Sequence, residues 1–471
     1  MLEDLGLSKN STPVIPDRLD TRTQLAYGVG ELAGAVPVGA AAFLLLFFLT
    51  QVAGLDPILA GLVMFLGKIW DAINDPLVGW LSDRTRSPLG RRYPWMLGAA
   101  IPLALYCVLQ WVIPPIHSQA LLFCFYSAVA IFAYCSFSAM MVPYSALAAE
   151  LTPDYDERTT LISFKSGFSI GGSLLAVTMA DAILQRVADP HQAYLRLGMV
   201  NAIVVILAIG LCIAGTYSRY NRVQIHQPPT PHQAPSLWQQ LRVVSQNRPF
   251  RYVMGLYLCA WTGVQVAAVI LPFFVVHWMG LPEQSFLRMA LAVQGTAVAT
   301  LIFWNRLSRR TGKRMVYGLG VPLTIVGQLG LFALQPGQVQ LMYFWGIVAG
   351  MGMATVYIVP WSMLPDVVDL DQLTTGQRRE GIFYGFAVFL QKLGMALAML
   401  ITGSILHGAG LMVTVGETTA PLPQPASALW AIRLIFGPLP AVMLLGGLGF
   451  TYFYPITREV HAEIALKLRG K

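Results

Sequence analysis

Asp71 and Asp75 lie one helical turn apart inside Pro57 to Trp80 (PILAGLVMFLGKIWDAINDPLVGW), a stretch otherwise apolar enough to cross a bilayer. An ionised carboxylate at mid-bilayer depth costs about 2.5–3.5 kcal/mol on insertion scales, so such a residue faces a protein interior, a water-filled path or an ion. The i, i+4 spacing puts both acids on one helix face. Two anions there repel unless a proton or another cation lies between them, which is the chemistry of a cation-coupling site in a carrier. The competing reading of the pair is a structural salt bridge to a lysine or arginine from another helix. Lys392 sits in the middle of FAVFLQKLGMALAML, where a buried ammonium needs an anion, an ion pathway or a substrate. Lys165 lies early in another apolar stretch, where it either snorkels to the surface or meets a substrate. Glu31 stands near the start of the first apolar stretch, with an interfacial or capping role and a functional one equally open.

The elements that hold these residues are membrane helices. With 56% hydrophobic and only 11% charged residues over 471 positions, and a mean hydropathy of +0.60, the chain is too apolar for a soluble protein of its size. A bilayer core of about 30 Å needs roughly 20 residues of apolar helix, and about twelve such windows recur. They fall near 24–51, 57–81, 94–114, 119–146, 160–184, 195–217, 250–279, 286–305, 315–335, 339–364, 381–408 and 428–454. Trp111, Trp278 and Trp430 near window ends fit an interfacial belt.

The formal charge of +8 does not point to nucleic acid, because the basic residues sit in short loops beside helix ends. Arg84, Arg86, Arg91 and Arg92 follow the second window, Arg306, Arg309, Arg310, Lys313 and Arg314 the eighth, and Lys467, Arg469 and Lys471 the last. If twelve spans alternate, all lie on one side, which places both termini in the cytoplasm of a cell (inner) membrane protein. The first twenty residues lack an apolar signal core. A Pro-, Gln- and His-rich segment (QIHQPPTPHQAP) divides six spans from six, and GWLSDRTRSPLGRR after the second span has a shorter counterpart, NRLSRRTGKR, after the eighth. The organisation read from this is an N-terminal segment 1–23, a six-helix bundle 24–217, a linker 218–249, a second bundle 250–454 and a tail 455–471.

No Walker loop, HExxH, GxSxG or dinucleotide fingerprint stands in a suitable context, so neither an enzyme nor an ATP-driven pump is expected. Cys107, Cys124, Cys135, Cys212 and Cys259 fall within spans without CxxC spacing and read as packing residues.

Two motifs go further. KIWDAINDPLVGWLSDRTRSPLGRRYPW and LPDVVDLDQLTTGQRREGIFYG resemble the signatures of the glycoside-pentoside-hexuronide:cation symporter family, the melibiose-permease-like branch of the major facilitator superfamily. YGVGELAG and VPYSALAAELTPDYDER extend the likeness over most of the chain, and the stretch with VPYSAL is also similar to the animal sodium-dependent lysophospholipid transporters. The resemblance implies an all-α major facilitator fold. It implies that Asp71 and Asp75 bind the coupling cation, Na⁺ or H⁺, with Asn74 beside them and Ser138 supplying a hydroxyl; a hard cation wants several such oxygens. Lys392 matches a lysine near the sugar and cation sites, and Lys165 a basic residue of span five. The chain departs from the pattern where Ala35 and Met141 replace two sugar-binding acids, removing hydrogen-bond acceptors for sugar hydroxyls.

The expected protein is thus a monomeric secondary transporter that rocks two bundles around a central site and moves a sugar or glycoside, or alternatively a lysophospholipid, with its cation. A sensor or scaffold without transport is the reading from another class. No cofactor and no nucleic acid are expected, and the partners are solute, cation and bilayer. Lys392 would take the place of the cation when it is absent. Asp83, Arg84, Arg91, Arg92, Asp366, Asp369, Arg378 and Arg379 would form a cytoplasmic ion-pair gate.

Overall fold

Each apolar window becomes a helix, because only a helix satisfies its own backbone N–H and C=O groups where lipid offers none. The structure, a computed structural model, describes residues 19–152, 155–187, 189–224, 246–375, 380–413, 423–456 and 458–469. Among these, eleven helices are long and apolar enough to cross a membrane, and a twelfth apolar helix is shorter. The first half comprises α1 (Thr21–Val52), α2 (Pro57–Arg84), α3 (Tyr93–Leu109), α4 (Gln119–Leu151), α5 (Tyr155–Arg186) and α6 (Pro190–Gln224). The second comprises α7 (Arg248–Trp278), α8 (Gln284–Thr311), α9 (Lys313–Ala333), α10 (Val339–Thr375), α11 (Glu380–Gly408) and α12 (Ala426–Tyr452), followed by α13 (Arg458–Arg469).

Several helices outrun their apolar windows at the face where α1 begins and α12 ends, here the terminal face. α4 continues to Leu151, α6 to Gln224 and α10 to Thr375. Hydropathy marks only the bilayer-crossing part, whereas polar turns such as those of α10 beyond Leu364 remain helical outside it. Asp56 caps α2 by accepting from the Ile58 N–H at 3.0 Å, with Pro57 at the first helical position.

The two halves repeat in backbone detail. α1 and α7 each end in a π-helical turn, Phe48–Val52 and Phe274–Trp278. The loops after α2 and α8 both turn on a left-handed glycine, Gly90 (φ 85°) and Gly312 (φ 86°). A Cβ at Gly90 would also stand 2.3 Å from the Tyr220 hydroxyl, so no larger residue fits there. α1 and α7 are the most central helices: 61% and 78% of their apolar windows are buried, against 22% for α4.

Across the divide, α2 packs on α11, α1 on α7 and α5 on α8. The face opposite the terminal face is shut by side chains from both halves. Phe47 of α1 meets Phe273 and Phe286 at ring distances of 5.3 and 6.2 Å. Gln51 donates to the Met412 carbonyl at 3.5 Å, and Gln284 to the Leu184 carbonyl at 3.2 Å. Trp111, expected in an interfacial belt, is instead 1% exposed and packed on Phe48 and Tyr194 behind this closure. Its ring is surrounded because α3 is short and its end lies beneath the neighbouring helices.

Two glycines let α2 and α11 approach here: a Cβ at Gly403 would lie 2.4 Å from the Pro57 carbonyl oxygen, and one at Gly61 would lie 3.0 Å from that of Met399. Overpacking of this kind costs about 1–3 kcal/mol, or roughly 5–150-fold in an equilibrium. Gly403→Val should therefore reduce uptake by about 10-fold or more by disfavouring closure, with Gly403→Ala intermediate. Uptake normalised to membrane abundance reads this, and a fully active Gly403→Val carrier would show that the approach is not required.

Glu283 stands at the start of α8 on the same face, and burial pushes its carboxyl up to about 7. A raised carboxyl favours the closed arrangement while protonated; the penalty on closure begins above its ordinary value and is complete above about 7. Raising the pH from 5 to 8 should thus shift the population toward an open face. Spin-label distances between Leu121 and Met412, exposed on opposite halves, should lengthen over that range, and Glu283→Gln should reduce the pH dependence, leaving the part that comes from the His407–Asp56 pair across the same face.

Candidate functional site

The acids of α2 do not face lipid. Asp71 is 1% exposed, while the Asp75 side chain is 30% exposed, so the pair has one sealed and one open member. Lys392 reaches them from α11 in the other half, with Nζ 2.9 Å from Asp71 Oδ2 and 2.5 Å from Asp75 Oδ2. Ser138 of α4 donates its hydroxyl to Asp75 Oδ1 at 2.5 Å and lies 3.4 Å from Asp71 Oδ1. Lys68, a turn earlier on α2, is 3.7 Å from Asp71 Oδ2 and lies over the Tyr134 ring at 4.6 Å. Asn74 is buried, but its amide donates to the Tyr134 carbonyl at 3.2 Å and so ties α2 to α4. Pro76 has no N–H to offer the Ala72 carbonyl, which loosens the helix beside the acids.

Two carboxylates and two ammonium groups cancel, so the cluster is formally neutral as it stands. That balance is what permits its burial, because an unpaired charge at this depth would cost several kcal/mol. The Lys392 ammonium occupies the space between the acids that a coupling cation needs. The oxygen donors fit a hard monovalent cation: four carboxylate oxygens and the Ser138 hydroxyl converge there. A cation bound between the acids would need the carboxylate oxygens that Lys392 holds.

An apolar crevice adjoins the cluster between α1, α2, α4 and α11, lined among others by Val38, Ala42, Leu45, Phe137, Met395 and Met399. Lys68, Tyr134 and Gln110 supply its polar groups. In the second half, rings from α7, α10 and α11 form a continuous wall. Tyr257 meets Trp261 at 5.8 Å and Trp361 at 5.7 Å, Trp261 meets Tyr357 at 5.7 Å, and Trp361 meets Tyr384 at 6.3 Å. Lys165 of α5 lies 3.8 Å from Glu31 of α1 and donates to Ser145 at 2.9 Å.

At the terminal face, the residues expected to form one gate belong to separate clusters. Arg91 and Arg92 both donate to Glu150 Oε1 at 2.8 Å, and Arg92 also bonds Ser82 and pairs with Asp83. Arg84 takes no part in these bonds; its guanidinium lies over Trp80 at 4.0 Å. Asp366 is buried against Lys313 at 2.7 Å, and Lys313 also donates to the Ser362 carbonyl at 2.6 Å. Asp369 is half-buried about one turn further along α10, and Arg378 and Arg379 lie outside the described residues. Each of these ion pairs joins elements of a single half.

Sequence reasoning did not single out Lys68, Glu150 or the partner of Asp366. The i, i+3 spacing of Lys68 and Asp71 was a usable signal. Glu150 offered only a carboxylate at the end of an apolar span, and its two arginine partners are far away in the chain.

Twelve apolar helices in two packed halves, with a charge cluster bridging them at mid-depth, define a secondary transporter of the major facilitator type. The chain belongs to the family described as MFS/sugar transport protein, whose profile matches residues 26–458. It is 40% identical, over 97% of its length and 98% of the relative's, to a Synechocystis protein described as an uncharacterized symporter. It is 26% identical to sodium-dependent lysophosphatidylcholine symporter 1-B of Danio rerio, covering 97% of this chain and 90% of that one. The crystal structure of a D-xylose–proton symporter superposes with a TM-score of 0.65 at 16% identity, covering 92% of this chain and 98% of the other, a likeness of fold. The family and these relatives are transporters rather than enzymes.

Proposed function

We propose that the protein is a symporter that couples a monovalent cation, Na⁺ or H⁺, to the uptake of an amphipathic solute carrying an anionic or zwitterionic headgroup. The observation that carries this reading is the Asp71–Asp75–Lys392 cluster. It spans the two halves, so a cation that displaces Lys392 from the acids also changes the contact between the halves. Ser138 adds the neutral oxygen that Na⁺ uses. Asn74 supports the site from behind through α4.

For the solute, the apolar crevice suits a hydrocarbon chain and Lys165 suits a phosphate or similar anion. The wall of Tyr257, Trp261, Tyr357 and Trp361 suits a quaternary ammonium group. Ala35 and Met141, both half-buried, bring no acceptor for sugar hydroxyls. The sodium-dependent lysophosphatidylcholine symporter of Danio rerio is a relative with a substrate of this kind. A glycoside is the second reading, favoured by the same aromatic wall, whose faces can stack on a pyranose ring.

The positive loops support a cytoplasmic terminal face, and the Arg91–Arg92–Glu150–Asp83 and Lys313–Asp366 clusters are read as the parts that lock each half there. Uptake of lysophosphatidylcholine and of melibiose into reconstituted vesicles, each with and without sodium, tests the assignment. Sodium-stimulated uptake of the lysolipid alone is the expected result. Uptake of the sugar alone would replace the first reading by the second, and cation-independent equilibration of both would remove the symport reading.

A further inference from the structure

A second charge pair, remote in the chain from the acids of α2, lies wholly within the first half. Glu31 interrupts the α-helical run of α1, where Gly28, Gly30 and Gly34 bring the helix against its neighbours. A Cβ at Gly30 would meet Tyr144 at 2.7 Å and Cys212 at 2.8 Å, and one at Gly28 would meet Phe168 at 2.6 Å. The close approach buries Glu31 to 8% exposure between α4, α5 and α6.

Among the described residues its charged neighbour is Lys165, and the pairing is loose. Nζ stands 3.8 Å from Glu31 Oε2, whereas Lys392 and Asp75 are 2.5 Å apart. That Oε2 atom is buried and accepts no hydrogen bond among the described residues, although the carboxyl as a whole also meets the Ser169 hydroxyl of α5. Tyr144 does not serve it either, because its hydroxyl donates to the Tyr27 carbonyl at 2.8 Å. Lys165 remains about a quarter exposed, donates to Ser145 and lies 5.4 Å from the centre of the Tyr144 ring. The other titratable groups facing Glu31 are Tyr27 on its own helix and Tyr144 on α4, with Cys212 of α6 behind them. All three are neutral at pH 7.

We propose that Glu31 is an exchangeable counter-ion for Lys165: an anionic group of the solute takes its place on the lysine, and the displaced carboxylate binds a proton. In the empty carrier one carboxylate offsets one ammonium. When the solute's anion reaches Lys165 from the exposed side, two negative charges face one positive charge in a poorly hydrated space. The balance is restored when a proton from water adds to Glu31 Oε2, the oxygen without a donor. Each solute bound through Lys165 then brings one proton, in addition to the cation held at Asp71 and Asp75. Protonation also removes the charge attraction between Glu31 and Lys165. The inference rests on the reading above that Lys165 receives an anionic headgroup.

The test is calorimetry of the purified full-length carrier with a short-chain lysophosphatidylcholine at pH 7 and saturating sodium, repeated in buffers of different ionisation heat. The wild type should take up about one proton per solute bound. Glu31→Gln, with no carboxylate competing for Lys165, should bind the lysolipid at least as tightly but with heat independent of the buffer, and Glu31→Asp should retain the uptake. Binding by the wild type without proton uptake, or undiminished uptake by Glu31→Gln, would overturn the counter-ion role and leave the substrate reading intact. If the wild type binds melibiose but no lysolipid, the anion reading of Lys165 fails, and this inference fails with it.

Discussion

Asp75→Asn is expected to lower cation-driven concentrative uptake by at least about 100-fold, with the protein still present in the membrane. The variant keeps the side-chain shape and removes one charge from a cluster that is neutral as built. What remains is one carboxylate, Asp71, beside two ammonium groups, Lys68 and Lys392. A site that was neutral becomes positive, and an incoming cation meets repulsion where it had two anionic ligands. Breaking a fully buried pair costs about 3–5 kcal/mol, and at the 30% exposed Asp75 the lower end of that range already corresponds to the ~2.7 kcal/mol of a 100-fold loss. Exchange of labelled for unlabelled solute should persist, because the solute contacts proposed at Lys165 and the aromatic wall are untouched. Normal concentrative uptake by Asp75→Asn would remove Asp75 from the coupling mechanism.

Removing the lysine instead of the acid reverses the sign. In Lys392→Met, Asp71 and Asp75 are left with Lys68 alone, which lies 3.7 Å from Asp71 and is itself buried. The cluster is then negative and demands a cation. Without added sodium or acid, the variant should lose about 3–5 kcal/mol, seen as a fall of several degrees in the melting temperature. Saturating sodium should restore much of it, so the sodium-induced stabilisation should be larger in the variant than in the wild type. The cation dependence of uptake should shift to lower concentration, since no internal ammonium competes. An unchanged melting temperature and cation dependence would show that Lys392 is not the stand-in for the cation.

The parts legible in the sequence were those with a local cause. Apolar windows of bilayer length became helices, the i, i+4 acids share one face, and the loop motifs after α2 and α8 anticipated two halves that repeat in their glycine turns and π-helical ends. Less visible was anything that depends on distant chain segments meeting. Lys392 and Asp75 are far apart in sequence, and only the packing of α11 on α2 brings them to 2.5 Å. Glu31 and Lys165 were each ambiguous alone; together they are a pair, because glycines on α1 permit the approach. The expectation for Trp111 failed because nearness to the end of a window says nothing of what covers the ring. The polar extensions of α4 and α10 were missed because hydropathy reports immersion in lipid and not helix length.

The most direct test of the coupling claim is to measure radioactive sodium and solute fluxes together in vesicles containing the purified protein. The account predicts that an inward lysolipid gradient drives sodium inward in the wild type and does not in Asp75→Asn. Solute entry in the wild type accompanied by neither sodium nor proton movement would contradict it.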